Sequence, residues 1–294
     1  MSAQMAEIGL ARPVLGLVDA VSTYVPDGTT VYLGNFGAQL FCVGHELIRQ
    51  NRRNLDLIVA SGGLLLDQLL GAGLVASATF GHCWGPVGPH PAWNFRRLAE
   101  SGDESVRMHE MSLGLLTAAL HAGAWHVPFL PVAGLAGTGF ADEDWTDGML
   151  TTVSTPFGDS TVVRALAADV AFVHVDVADR HGNAIIRGPV GEAVAAAQGA
   201  HTVVVVAEEV LPTGERLQGT ATLPGLMVDA VVPRPGAVAP DGAVGRYDRD
   251  VTAYEDYAAD SSSVQGFEEW LAGIRSGPDP HGRPVEHLAE GAQP

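Results

Sequence analysis

Apolar positions gather in short, almost unbroken runs at 30–33, 55–60, 127–132, 169–175 and 202–207. Runs of that length without alternation predict strands covered on both faces. Between them, at 41–50, 91–100, 112–121 and 192–198, apolar residues return at helical spacing and glycine or polar residues end each segment. In the third helix Ser112 is the predicted N-cap. Leu113, Leu115, Leu116, Ala119 and Leu120 form its buried stripe, and Gly123 is its stop. Strand and helix in alternation predict an α/β fold with a mostly parallel open sheet flanked by helices.

A chain of 294 residues suffices for one large α/β domain, expected over residues 1–277. From Pro233 the composition shifts toward proline, glycine and acidic residues, and after Gly277 no apolar periodicity remains. Residues 278–294 are therefore expected to form a loosely ordered tail or to reach over a partner.

Charge and residue usage remove several classes of function. The formal net charge is −18, which opposes binding to nucleic acid or to an anionic membrane surface. All 16 basic residues are arginine, so Schiff-base chemistry, pyridoxal-phosphate attachment and a Walker lysine are excluded. Cys42 and Cys83 form neither a disulfide framework nor a zinc ribbon, which suits a reducing compartment. The N-terminal residues lack a signal pattern and no apolar run is long enough to span a bilayer, so a cytoplasmic location is expected.

Few local motifs point to chemistry. Gly71-Ala-Gly73 approximates a dinucleotide fingerprint, but the residues before it look helical where a strand is required. His82, Cys83 and His90 lie close together without the spacing of a zinc site, so no metal or prosthetic group is expected. Glu208 and Glu209 follow the apolar run TVVVVA. They are either an acidic pair at the carboxyl end of the sheet, where open α/β sheets bind ligands, or solvated loop charges. The stretch from Asp27 to Gly37 reads as a turn, a strand and a glycine-flanked loop holding Gly34, Asn35, Phe36 and Gly37. Such a loop either presents amides to an anion or a developing oxyanion, or is a tight turn.

Taken in order, several segments resemble the alpha subunits of class I coenzyme A transferases, notably the glutaconate CoA-transferase type. VPDGTTVYLGNFG is similar to the family's entry strand and glycine loop, D-G-x-x-V-x-x-G-G-F-G, with Asn35 in place of the second glycine. HELIRQNRRNLDLIVASGG resembles the following helix, basic turn and strand. HEMSLGLLTAALHAGAWHVPFLPVAGLAGT resembles the block that begins with a glutamate, here Glu110. LAADVAFVHVDVADRHGNA resembles the family's Asp-x-x-Gly-Asn turn with its flanking strands, and VVVVAEEVLP and LPGLMVDAVVPRPGAVAP complete a series from Val25 to Tyr257.

The resemblance implies a class I CoA-transferase fold, shared with ribose-5-phosphate-isomerase-like proteins, and a beta-type partner subunit. It implies exchange of coenzyme A, as co-substrate, between an acyl-CoA and a carboxylic acid through a glutamyl-CoA thioester. The nucleophilic glutamate belongs to the beta-type half, in an S-E-N or E-x-G context that this chain lacks, so the chain is expected to be inactive alone. Gly34, Asn35, Phe36 and Gly37 are the expected substrate-binding wall and Glu110 the expected catalytic carboxylate at the shared pocket. Arg49, Arg52, Arg53, Arg96 and Arg97 are candidate CoA contacts if folding gathers them, and otherwise solvated helix ends. The family's G-A-H-P segment appears as Gly236-Ala237-Val238-Ala239-Pro240, without the histidine. Two alternatives share the scaffold. One is part of a CoA-thioester hydrolase or ring-opening hydrolase, from a subgroup with a further acid where Leu113 stands here; the other is a non-catalytic acyl-CoA-binding protein.

Overall fold

The computed structural model describes residues 11–35, 38–133, 138 and 148–277. Twelve strands occur among these residues: β1 (Thr30–Asn35), β2 (Ala38–Gln39), β3 (Leu55–Val59), β4 (Val75–Phe80), β5 (Arg107–Glu110), β6 (Phe129–Val132), β7 (Leu150–Thr155), β8 (Gly158–Arg164), β9 (Val170–Ala178), β10 (Ala184–Ile185), β11 (Thr202–Val210) and β12 (Ala230–Pro233). The helices are α1 (Leu17–Tyr24), α2 (Phe41–Arg49), α3 (Gly63–Gly71), α4 (Trp93–Ser101), α5 (Leu113–Ala124), α6 (Ala193–Gly199), α7 (Val251–Asp260) and α8 (Val264–Ser276). No helix among the described residues is long and apolar enough to cross a membrane.

The main sheet runs β12-β11-β9-β1-β3-β4-β5. Every pairing along that path is parallel. The chain winds outward from β1 through β3 to β5, then returns to the other side of β1 for β9, β11 and β12. A switch of winding direction therefore lies between β1 and β9, and at such a switch the connections leave a crevice at the carboxyl ends. Successive strand residues feed opposite faces. Val31, Leu33, Leu57 and Val59 join the core under α1, α2 and α3, while Tyr32, Ile58, Val173 and Val205 join the core under α5 and α6. All nine residues of β9 are buried, as an apolar strand in the middle of a doubly covered sheet must be.

Two features depart from the sequence expectation. The run at 127–132 is not a doubly covered strand of the main sheet. β6 instead pairs antiparallel with β8 in a separate three-stranded sheet, β6-β8-β7, where Phe129 and Pro131 are exposed. In α5 the N-cap is as expected, Ser112 Oγ accepting from the Leu115 amide at 3.2 Å, but Leu113 is exposed and Gly123 is not the stop. The helix ends at His126, whose positive φ of 54° closes a Schellman turn through His126 N to Gly123 O and Val127 N to Ala122 O. Gly123 serves close packing: a Cβ there would collide with the Leu166 carbonyl oxygen.

Beyond Pro233 the composition concealed two helices. α8 packs Phe267, Leu271 and Ile274 into the core, each worth about 1.5–3 kcal/mol of apolar burial. A buried polar knot holds α7 in place. Asp67 on α3 accepts from Tyr257 Oη at 2.6 Å, Asn94 Nδ2 at 3.1 Å and the Phe95 amide at 2.7 Å. Burial pushes the Asp67 carboxyl above its ordinary range, against the opposing pull of the Tyr257 hydroxyl. The expected tail, 278–294, lies outside the described residues.

The Asp-x-x-Gly-Asn turn is organised by Asp179, which accepts from the amides of His181, Asn183 and Leu217 at 2.8, 3.0 and 3.2 Å and from Asn183 Nδ2 at 2.9 Å. Burial pushes this carboxyl up, but the four hydrogen bonds outweigh it and hold the group below the usual aspartate value. A depressed carboxylate stabilises the fold above its unfolded value and loses that contribution as pH falls through the folded one. Asp179→Asn is accordingly expected to flatten the acid side of a plot of Tm against pH, with the smallest change in slope above pH 5. Tyr257→Phe, which leaves a buried carboxylate short of a donor, is expected to cost about 1–3 kcal/mol in urea unfolding. An unchanged midpoint would show that the knot contributes nothing.

Candidate active site

Carboxyl ends of seven parallel strands share one edge of the main sheet, and the polar side chains of interest lie there. β1 ends in Gly34 and Asn35 and returns at once as the antiparallel β2, with Gly34 opposite Gln39 and Asn35 opposite Ala38. Gly34 has φ +89°, and a Cβ would strike the Ala38 carbonyl oxygen, so glycine is required by the tight return itself. Phe36 and Gly37 lie outside the described residues. From β2 the buried Gln39 donates Nε2 to the Ser61 carbonyl, which ties the glycine loop to the turn between β3 and α3.

On the β3–β4–β5 side, three functional groups come from adjacent strand ends. Ser61 follows β3, His82 follows β4, and Glu110 closes β5 opposite Phe80. Ser61 Oγ and His82 Nε2 are 3.0 Å apart, and the Gly62 amide donates to the His82 carbonyl at 2.9 Å. Burial pushes the imidazole below its ordinary value, and the negative charge of Glu110 works in the opposite direction. Glu110 itself is exposed. The Trp84 ring lies 5.3 Å from that of His82 and is 55% exposed, and Leu113, 41% exposed, borders Gly81 just before it.

Across the switch point the arrangement is more enclosed. Glu208, on β11 and 6% exposed, faces His174 Nε2 at 3.0 Å. It also accepts from Tyr247 Oη at 2.6 Å and from the amides of Gly236 and Ala237 at 2.7 and 3.1 Å. Burial alone would raise this carboxyl, but His174, Tyr247 and Gly236 together hold it below its usual value. Arg246 then clamps Asp176 through Nε at 3.0 Å and reaches Glu209 at 3.6 Å. Of the acidic pair, Glu208 is thus an internal anchor for the loop 234–247, and Glu209 is the more exposed member. Ala38, His174, Asp176, Gly188 and Val244 border a slot with room for about one water.

Neither cysteine is a reactive thiolate in this setting. Burial pushes the Cys42 thiol up to about 12, despite the opposing Arg234, and also raises the Cys83 thiol well above its ordinary value. Nor do the candidate arginines gather at the carboxyl edge. Arg49 pairs with Glu46 at 3.4 Å, Arg52 donates to Gln50, Arg53 donates to the Gly73 carbonyl before β4, and Arg96 pairs with Glu100 at 2.8 Å. Arg97 donates to Asn94 and to the Ser261 carbonyl. They are fixed by local helix-end and loop contacts rather than by a common ligand.

Ser61, His174 and Tyr247 carried no sequence signal as site residues, and His82 stood out only for its proximity to Cys83 and His90. The available clue was positional: both Ser61 and His82 follow strand ends, although the strand before His82, VASATF, is too small-sided to stand out.

A family model described as "Coenzyme A transferase" matches residues 15–234. One of the two subunits of 3-oxoadipate CoA-transferase from Pseudomonas knackmussii is 29% identical over 263 residues, covering 88% of this chain and 92% of that one. The cholesterol ring-cleaving hydrolase IpdA subunit of Rhodococcus jostii is 30% identical over 294 aligned residues, covering 94% of this chain and 96% of the relative. Among solved structures, glutaconate coenzyme A-transferase from Acidaminococcus fermentans superposes with a TM-score of 0.83 at 26% identity, covering 91% of this chain and 90% of that one. Sheet order, the glycine return at the end of β1 and a family model spanning most of the sequence agree: the chain belongs to the coenzyme A transferase family.

Proposed function

We propose that this chain is the alpha-type half of a heteromeric CoA-transferase, which exchanges coenzyme A between an acyl-CoA and a carboxylic acid through a glutamyl-CoA thioester on a beta-type partner. The observation that carries this is the likeness, across nearly the whole chain, to a solved glutaconate CoA-transferase. Several relatives are, by name, single subunits of such enzymes. Residues 11–277 act in this role as one domain, and the cytoplasm is the location that fits free coenzyme A and unpaired cysteines.

The chemistry divides one difficult exchange into two acyl transfers. The partner's carboxylate attacks the acyl-CoA carbonyl and expels the thiolate, giving a mixed anhydride. The thiolate then attacks the glutamyl carbonyl, releasing the first carboxylic acid and leaving the glutamyl-CoA thioester. This chain supplies the other wall of the pocket. The Gly34–Asn35 return and the first amides of α3, which helix geometry directs outward, lie near the developing oxyanion, with Phe36 and Gly37 continuing that wall. Glu110 faces the pocket as a fixed negative charge and leaves covalent attack to the partner. Exposed apolar side chains at Trp84, Leu113, Phe129 and Phe157 supply surface for the partner and the acyl group.

A second activity on the same fold, hydrolysis, is favoured by the alignment with the ring-cleaving hydrolase subunit. The two diverge in what takes the acyl group, a carboxylate or water.

Mass spectrometry of this chain co-purified with its partner, after incubation with acyl-CoA thioesters and borohydride or hydroxylamine trapping, decides between them. A CoA-dependent modification on a partner glutamate is the expected result. Free acid and coenzyme A without any trapped glutamyl species would give the role to hydrolysis instead.

A further inference from the structure

Resting on the reading that the carboxyl edge is the acyl site, one group there has no part in carboxylate exchange. Exchange through an anhydride moves no proton, yet an imidazole stands among the strand ends with a hydroxyl on one side and a carboxylate near by. Ser61, 6% exposed, lies beneath it and fixes the ring through the 3.0 Å contact at Nε2. The Gly62 amide fixes the His82 backbone at 2.9 Å, and Gln39 ties the same turn to the glycine return. β3, β4 and β5 are parallel neighbours, so the order hydroxyl, imidazole, carboxylate follows the order of the strands. Trp84 and Leu113 flank the ring with exposed apolar surface of the kind that receives an acyl group and thins the water around a thioester.

We propose that His82 is a general base for water in this pocket, positioned by Ser61 and balanced by Glu110, which gives the complex a thioesterase activity toward acyl-CoA alongside exchange. Water's oxygen bonds to the thioester carbonyl carbon as one of its protons passes to the imidazole. The tetrahedral intermediate then collapses, the C–S bond breaks with its electron pair leaving on sulfur, and the imidazolium returns its proton to the thiolate. Acyl-CoA and water give a carboxylic acid and the CoA thiol. The titratable groups around the ring are Glu110 on β5, the thiol of Cys83 beside it and Asp67 on α3 behind that thiol. Burial favours the neutral, basic ring near pH 7, and Glu110 steadies the imidazolium that forms.

Thiol release from octanoyl-CoA and benzoyl-CoA by the two-subunit complex, with no carboxylate acceptor present, tests this. The wild-type complex is expected to release thiol with an acid limb set by the imidazole, and His82→Gln to lower kcat by at least about 100-fold. Glu110→Gln, at an exposed position, is expected to shift the acid limb to lower pH, because the ring loses a negative neighbour. A merely structural role would not move that limb. No acceptor-independent release from the wild-type complex, an undiminished rate in His82→Gln, or an unmoved limb in Glu110→Gln overturns the proposal. Label exchange into a carboxylate is followed in parallel. Its absence from the wild-type complex overturns the transferase assignment while leaving the His82 result to stand.

Discussion

The structure depends on one constraint: a parallel sheet covered on both faces offers solvent little but its ends. β9 is buried along its whole length and β11 nearly so, which leaves no room for chemistry on the faces. Because all seven strands point the same way, their carboxyl ends meet along a single edge, and the change of winding direction at β1 and β9 opens that edge. Gly34, Ser61, His82, Glu110, Asp176 and Glu208 come from widely separated parts of the sequence, yet each belongs to or directly follows a strand of that edge.

Buried carboxylates hold the surrounding loops in place. Asp67 joins α3 to α4 and α7, Asp179 organises the turn between β9 and β10, and Glu208 fixes the loop after β12 through two amides, a tyrosine and a histidine. Each is satisfied by several donors, as a carboxylate taken out of water must be. Part of the acidic excess of this chain is therefore internal scaffolding rather than a surface for cations. It also accounts for Glu208, which sits where a ligand-binding acid is expected but has its oxygens occupied by the protein itself.

What the sequence showed clearly was what local pattern encodes. VAFVHV and TVVVVA read as central strands because bulky β-branched residues face both cores, and Ser112 read as a cap because a hydroxyl there satisfies an orphan amide. VASATF and RMHE escaped notice. The first has small side chains suited to a tight interface, and the second is a short edge strand with polar residues. α7 and α8 were masked by the proline- and glycine-rich loop before them, although Phe267, Leu271 and Ile274 keep helical spacing. Family resemblance led to the glycine return and Glu110. The pairing of Ser61 with His82 depends on the register of β3 against β4, which no local window contains.

The central claim is that this chain completes an acyl-transfer pocket only together with a beta-type partner. The most direct measurement is incorporation of a radiolabelled carboxylate into acyl-CoA by each of the two polypeptides separately and by the two combined. Exchange that appears only on mixing, and that saturates at a fixed ratio of the two, is the predicted result. Exchange by this chain alone, or none with the partner at any ratio, would contradict the account.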